Sequence, residues 1–265
     1  MREQGLEEAI GAVGGVGALA RALGISQPSV SNWHRIPSER VLAVEQATGV
    51  GRHVLRPDLY PEGQIAGPAQ TPRHDVDEMD RLRAAEYGLL ALLLFRVPNA
   101  AVLQRVSSLK GDASPLGLAH LRLAQAAAET DDVAVSREFF DLFVGIGRGE
   151  LLPYASYYLT GFLHERPLAE VRQAFVDLGI VRQDETREPE DHIALLFDVM
   201  ANLASGEIGE GYASQKVFFE AHLKPWAARF MADLETMRDR PFYSAVGALG
   251  RLFMDIESEA FCFDA

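Results

Sequence analysis

One short run of the sequence concentrates the side chains that could perform chemistry. Within five residues it holds three carboxylates, an imidazole and a proline: Glu188, Pro189, Glu190, Asp191 and His192. Such a cluster could ligate a metal, exchange protons or attract a cation, because imidazoles and carboxylates supply both charge and lone pairs. It could also be the ordinary beginning of a helix, since proline and acidic residues favour the first turn.

The helix that should position this cluster is the apolar stretch 193–200. We expect Pro189 at its first position, the acids in its first turn, and His192 on the side that faces the core or a groove. Glu188 precedes His192 by four residues, so its carboxylate should lie near the imidazole and favour the protonated form.

Two kinds of active site can be compared with this run. A metal centre would need further ligands, but His164 and His222 form no His-x3-His or His-x4-His pair, so no metal is predicted. A hydrolase would need an activated nucleophile, and no Ser or Cys stands in a nucleophile-elbow sequence. Composition alone therefore favours a structural role for the run. We expect no enzymatic activity and no bound cofactor.

Charge is distributed unevenly along the chain. Residues 1–60 hold six arginines and six acids, whereas the remainder carries the whole net charge of −13. An acidic surface repels nucleic acid and anionic membranes and attracts cationic partners. Only the first sixty residues could therefore meet DNA.

No segment predicts a membrane span or a disulfide. The longest apolar stretch, 87–95, is far shorter than the roughly 20 residues that cross a bilayer. The N-terminus lacks the apolar core and cleavage site of a secretory signal. Cys262 is the only cysteine. We therefore expect a cytoplasmic protein without membrane insertion.

A stretch rich in proline and glycine divides the chain, and it predicts a domain at 1–60, a linker at 61–78 and a second domain at 79–265. Beyond the linker, apolar residues recur at helical spacing and alternating β-branched runs are missing. The helical sets are Leu82, Tyr87, Leu90 and Leu94; Phe140, Phe143 and Ile146; and Phe219, Leu223, Trp226, Phe230, Leu234 and Met237. Pro225 should interrupt the last helix. The predicted fold class is all-α, with a small helix-turn-helix domain followed by a compact helical bundle.

Residues 17–40 have the pattern of a helix-turn-helix. Gly24 can adopt the positive φ of the turn, and Ser26 suits the N-cap of the second helix. Val30 and Trp33 should face inward. The outward residues are then of types that read base edges or hold phosphates: Gln27, Ser29, Asn32 and Arg35. The stretch resembles the Cro-like and YdaS-like prokaryotic regulators.

Two functions stay open for this small domain. Its outward polar side chains favour contact with DNA, and Arg21, Arg35 and Arg40 could form a local basic face. Its net charge of 0 favours a protein-docking module instead, because phosphate neutralisation supplies much of the affinity for DNA. A homodimer would help DNA binding, since one small module rarely suffices, but a monomer is equally compatible with the sequence.

Three blocks of the second domain resemble the TorD/DmsD/NarJ family of redox-enzyme maturation chaperones. Block 152–168 leads from Pro-Tyr through aromatics to an arginine, 188–192 reads Glu-Pro-x-Asp-His, and 218–226 reads Phe…His-Leu…Pro-Trp. The resemblance covers residues from about 79 to 265. The order and spacing of the blocks carry it more than any single block does.

The resemblance implies an all-helical chaperone that binds the apo-form of a molybdoenzyme catalytic subunit, or its twin-arginine leader, during cofactor insertion and before export. The leader-binding residues that it implies are Glu188, Pro189, Asp191, His192, Tyr154, Tyr158, Phe162 and Arg166. An acidic groove with aromatic walls would complement a leader that combines arginines with an apolar stretch. Ordinary helix packing is the alternative role for the tyrosines.

The small domain is a departure from that family and leaves a second function open. The chain could be a transcription regulator whose acidic helical domain senses a ligand or a partner protein. A leader that changed the affinity for DNA would connect the two functions.

Overall fold

The structure, a computed structural model, describes residues 3–59, 76–181 and 188–263. Within these ranges the regular structure is helical apart from one isolated bridge between Tyr154 and His192, and the all-α prediction is confirmed. The chain divides into two compact units, Met1–Gln70 and Thr71–Ala265. The division falls inside the predicted linker 61–78, most of which lies outside the described residues.

The small unit is a cluster of short helices around one apolar core. Its helices are α1 (Gln4–Ala12), α2 (Val16–Ala22), α3 (Gln27–Ser31), a 3₁₀ turn (Ser38–Arg40), α4 (Val41–Thr48) and α5 (Arg52–Leu55). One glycine is required for this packing. A Cβ at Gly5 would stand 2.3 Å from the carbonyl oxygen of Val54, so only glycine lets α1 approach α5 this closely.

The helix-turn-helix of the small unit forms as its sequence predicts. Gly24 has a φ of 65° and ends α2, and the Ser26 side chain accepts a hydrogen bond from the Ser29 backbone at the start of α3. Val30 is fully buried, whereas Trp33 is only partly buried against the same core. Local turn and capping chemistry thus places α3 on the surface of the unit.

The large unit contains the longer helices. They are α6 (Glu78–Phe95), α7 (Ala100–Ser107), α8 (Pro115–Ala128), α9 (Asp132–Phe139) with a π-helical turn (Phe140–Val144), α10 (Ala155–Thr160), α11 (Arg166–Asp177), α12 (Ile193–Ala204), α13 (Tyr212–His222), α14 (Ala227–Glu235) and α15 (Pro241–Phe263). Side-chain caps begin five of them, from Asp77, Asn99, Ser114, Asp131 and His192. Among the described helices, none has both the length and the apolar composition that crossing a membrane requires.

The core of the large unit is centred on the pairing of α12 with α6, while α15 packs on α14 and α8. Tyr87 of α6 contacts Phe197 of α12 and Phe253 of α15, with ring centroids 5.7 and 4.7 Å apart. α12 is buried on nearly all sides, as expected for a helix that is apolar all round.

An ion pair ties α6 to α15. Arg83 donates to both carboxylate oxygens of Glu257, at 2.7 and 2.6 Å, and the Tyr87 hydroxyl donates to the same carboxylate at 2.8 Å. Removing one partner of a buried pair typically costs about 3–5 kcal/mol, because the other charge is left uncompensated. The pair therefore fixes α6, which forms one wall of the groove described below.

Some apolar residues that the helical periodicity placed in the core are exposed. Leu82 and Phe140 are exposed, and Ile146 is 98% exposed, because α6 is covered only along its later turns and the π-helical turn ends at Val144. The interruption at Pro225 is confirmed, since α13 ends at His222 and α14 begins at Ala227.

Candidate functional site

The run 188–192 forms a turn that precedes α12. The prediction that Pro189 begins the helix is wrong, because α12 begins at Ile193 and His192 is its N-cap, with an extended backbone at φ −67° and ψ 132°. The Nδ1 atom of His192 accepts a hydrogen bond of 3.1 Å from the backbone N–H of Ala194. The acids therefore lie before the helix, where the chain turns into it.

The same turn also begins α10. The Asp191 carboxylate, in a residue only 1% exposed, accepts a 2.8 Å hydrogen bond from the backbone N–H of Ser156 in the first turn of α10. The backbone N–H of Ala155 donates to the Asp191 carbonyl at 3.0 Å. Negative charge at a helix N-terminus is stabilising because the terminal N–H groups are otherwise unpaired. Asp191 and His192 thus hold the beginnings of two helices together.

The expected protonation of His192 is wrong. Burial lowers the pKa of His192 to about 4, so the imidazole is neutral near pH 7. Glu188 does not bind it. Instead, one Glu188 oxygen accepts a 2.6 Å hydrogen bond from the Tyr154 hydroxyl. The Tyr154 ring meets the imidazole edge-on at 5.2 Å, and Phe95 meets it from α6 at 6.3 Å.

A groove of about 860 Å³ opens beside this turn. Its walls come from the last turns of α6, the segment 96–99, the end of α11 with the residues that follow it, and the first turns of α12. The apolar part of the lining includes Leu92, Phe95, Val97, Phe175, Ile180 and Val199. Such a shape and lining suit a peptide segment that carries apolar side chains.

Charged side chains border the apolar part of the groove. Three of them are acidic, Glu188, Glu190 and Asp198, and one is basic, Arg96. Glu190 forms an ion pair with Arg172 at 3.0 Å, and Arg96 lies over the Phe95 ring at 5.3 Å from its centroid. Partial burial and the nearby Glu207 raise the pKa of Asp198 above its usual range. The groove is therefore apolar along its walls and acidic at its border.

The eight predicted leader-binding residues do not lie together. Glu188 lines the groove, and Tyr154 donates a hydrogen bond to Glu188. Pro189, Asp191 and His192 belong to the supporting turn. Tyr158 is elsewhere, packed on Trp226 and Phe230 with its hydroxyl donating to Asp233 at 2.9 Å. The remaining two are on the outer surface: Phe162, which is 70% exposed, and Arg166, which pairs with Glu170.

Sequence reasoning missed Asp198 and the α6 side of the groove. Asp198 is the one carboxylate in α12. The other residues of this helix are apolar or small, apart from Asn202. That contrast was a usable signal. Leu92 and Phe95 gave none, since apolar residues late in α6 are expected in any core helix.

In the small unit, all four predicted DNA-contacting residues, Gln27, Ser29, Asn32 and Arg35, are exposed. The guanidinium of Arg35 stands 3.8 Å from a carboxylate oxygen of Glu3 and 3.6 Å from one of Asp58. Its charge is therefore partly compensated within the unit. Any phosphate would compete with these carboxylates for it.

Each of the two units matches a known family model. Residues 109–232 match the family model described as nitrate reductase delta subunit, and residues 6–64 match the one described as bacterial toxin YdaS.

Individual relatives agree with the first match. The chain is 28% identical over 141 residues to a protein named chaperone protein TorD from Vibrio atlanticus, covering 49% of this chain and 66% of that protein. It is 33% identical over 140 residues to one of the same name from Aliivibrio fischeri, covering 49% and 65%. The match thus spans slightly less than two thirds of these relatives.

Among solved structures, one described as a redox enzyme maturation protein from Archaeoglobus fulgidus aligns with a TM-score of 0.47 and 18% identity, over 66% of this chain and 94% of that chain. The family matches and the relatives confirm the two resemblances stated from the sequence, TorD/NarJ-type for the large unit and Cro/YdaS-type for the small one.

Proposed function

Because the large unit is similar to the TorD/NarJ chaperones, we propose that the chain is a cytoplasmic chaperone for a molybdenum-containing oxidoreductase. It binds the leader region of the apo-enzyme and assists cofactor loading and assembly before export. The observation that carries this proposal is the groove beside the Glu-Pro-x-Asp-His turn, because its apolar walls and acidic border match a leader with arginines and an apolar stretch.

The groove and the turn have separate tasks in this proposal. Leader side chains are buried against Leu92, Phe95 and Phe175, which gains about 25 cal/mol for each Å² of apolar area removed from water. Glu188, at the border of the groove, attracts the basic residues of the leader. Asp191 and His192 act through the helices that they cap and keep the α12 wall in position.

The test is an affinity pull-down of the full chain from its native cytoplasm, with bound proteins identified by mass spectrometry. The proposal expects a molybdoenzyme catalytic subunit whose capture depends on its N-terminal leader. Glu188→Gln should reduce the capture, since it removes the charge while its amide oxygen can still accept from Tyr154. Glu259→Gln, an exposed site on α15 with the same change in charge, is the matched control.

Two outcomes would contradict the proposal. One is the recovery of no oxidoreductase from cells that express such enzymes. The other is capture that persists unchanged after the leader is deleted, because the bound surface of the client would then lie elsewhere.

The exposed face of α3 favours a second, accessory function in DNA binding. Gln27, Ser29 and Asn32 are solvent-exposed at the surface where helix-turn-helix proteins read base edges. We expect Gln27→Ala combined with Arg35→Ala to reduce affinity for the chain's own promoter DNA and leave client capture intact. Fluorescence anisotropy at two salt concentrations measures the affinity for DNA. A regulator without a client would bind this DNA and capture no oxidoreductase.

A further inference from the structure

Two of the three groove carboxylates already have a partner. Glu190 is paired with Arg172 at 3.0 Å, and Glu188 accepts the Tyr154 hydroxyl at 2.6 Å. Asp198 differs, since within the described part of the chain its carboxylate takes part in no hydrogen bond or ion pair. Of the three, it therefore has the largest unused capacity to bind a cation.

The surroundings of Asp198 make that charge costly in the free protein. Partial burial and the neighbouring Glu207 both disfavour the ionised form, which raises its pKa. The cation in the groove lining, Arg96, lies over the Phe95 ring and forms no ion pair with a described residue. A positive group brought by a ligand would offset the repulsion from Glu207 and stabilise the charged form of Asp198.

The position of Asp198 on α12 defines what the ligand must look like. Ala194 and Leu195 line the same groove four and three residues earlier, beside the apolar Val199. Residues four apart on a helix share a face and are separated by about 6 Å along its axis. The groove therefore presents an apolar floor and, one helical turn away, an unpaired carboxylate.

We propose that Asp198 is the specificity-determining residue of the groove and selects a client segment with a basic side chain about 6 Å from an apolar one. The proposal rests on the proposed function, since the groove must first be the client-binding site. The acidic balance of residues 61–265 favours the same cationic partner at longer range.

The test measures binding of two synthetic peptides to the full chain by titration calorimetry at physiological salt. One peptide has an Arg-Arg pair before an apolar stretch, and the other has glutamine in place of both arginines. Asp198→Asn keeps the side-chain shape and removes the charge. Asp132→Asn, at an exposed site on α9 outside the groove, removes one charge from the same acidic protein and is the matched control.

Asp198→Asn should lower the affinity for the arginine peptide about fivefold, the upper range for a partly exposed ion pair, and leave the glutamine peptide unchanged. Asp132→Asn should bind both peptides like the parent chain. Asp198→Glu should retain the preference for arginine, which separates the charge from any loss of shape.

Two results would overturn the inference, and they have different consequences for the proposed function. If the parent chain and Asp198→Asn prefer the arginine peptide to the same degree, Asp198 does not select the ligand, and the proposed function stands. If the parent chain binds neither peptide, the groove is not a leader site, and both proposals fall.

Discussion

The turn 188–192 and the groove beside it hold the same kinds of side chain in opposite states. In the turn, the Asp191 carboxylate and the His192 imidazole are buried, and each accepts a hydrogen bond from the first turn of a helix. In the groove, Asp198 is only partly buried, and its carboxylate has no partner among the described residues. The most recognisable residues of the sequence therefore position helices, and unsatisfied charge lies six residues further on.

The physical reason for this division is the cost of burying polar groups. A buried carboxylate must be fully hydrogen-bonded within the fold, and once it is, it has little left to offer a ligand. A groove residue can stay unsatisfied because water solvates it until the ligand arrives. Substitutions in the turn should therefore change stability, and substitutions in the groove should change binding.

Of the substitutions that test this distinction between turn and groove, Asp191→Ala should have the largest effect on stability. It removes a charged acceptor from the Ser156 N–H and leaves that buried donor unpaired, so the free energy of unfolding should fall by about 3 kcal/mol. Denaturant unfolding measures the loss. Asp177→Ala, on the exposed end of α11, is the control and should cost about 0.5 kcal/mol. A loss below about 1 kcal/mol for Asp191→Ala would show that its capping bond is dispensable.

His192 should make stability depend on pH. Its folded pKa is about 4, below the usual 6.5, so between these values the unfolded chain binds a proton that the folded chain does not. Its contribution is complete above pH 6.5 and is lost as the pH falls through 4, by about 3 kcal/mol in total.

His192→Asn isolates this contribution. Asparagine is a good N-cap, so α12 should keep its first turn while the titrating group is gone. The difference in unfolding free energy between the two chains should therefore shrink or change sign as the pH is lowered. The pKa of His120 is raised by its hydrogen bond to Glu86, an effect of opposite sign that is common to both chains and cancels. Parallel pH profiles would show that His192 is not buried in its neutral form.

Tyr154→Phe tests which region Tyr154 belongs to. The hydroxyl donates to Glu188 at 2.6 Å, so its loss should lower the free energy of unfolding by about 1 kcal/mol. Glu188 keeps its charge, and affinity for the arginine peptide should change by less than about twofold. Calorimetry of binding and thermal unfolding check the two expectations. A tenfold loss of binding would place Tyr154 in the groove wall.

Local chemistry made much of the fold predictable from the sequence. The Gly24 turn, the Ser26 cap and the break before Ala227 all depend on residues within a few positions of each other. The helix beginning at residue 193 was misplaced by four residues. The reason is not local, since the backbone N–H of Ile193 bonds the Pro153 carbonyl at 2.8 Å and holds the turn extended.

The groove could not be predicted because it depends on contacts distant in sequence. It forms where α6 meets α12, about a hundred residues later, and no periodicity says which helices pair. Tyr154 and Tyr158 show the same limit. They are one helical turn apart in sequence, yet one is the N-cap of α10 beside the groove and the other packs against Trp226.

Asp198→Asn should have the smallest effect on stability and the opposite sign. Removing the charge ends its repulsion with Glu207, so the free energy of unfolding should rise slightly, by up to about 0.5 kcal/mol, while affinity for a basic peptide falls. One substitution would then raise stability and lower affinity, as expected for a binding residue that destabilises the unliganded fold. Thermal unfolding of the peptide-free protein decides the sign. A loss above 1 kcal/mol would mean that Asp198 is held within the fold as Asp191 is, and the distinction between turn and groove would no longer stand.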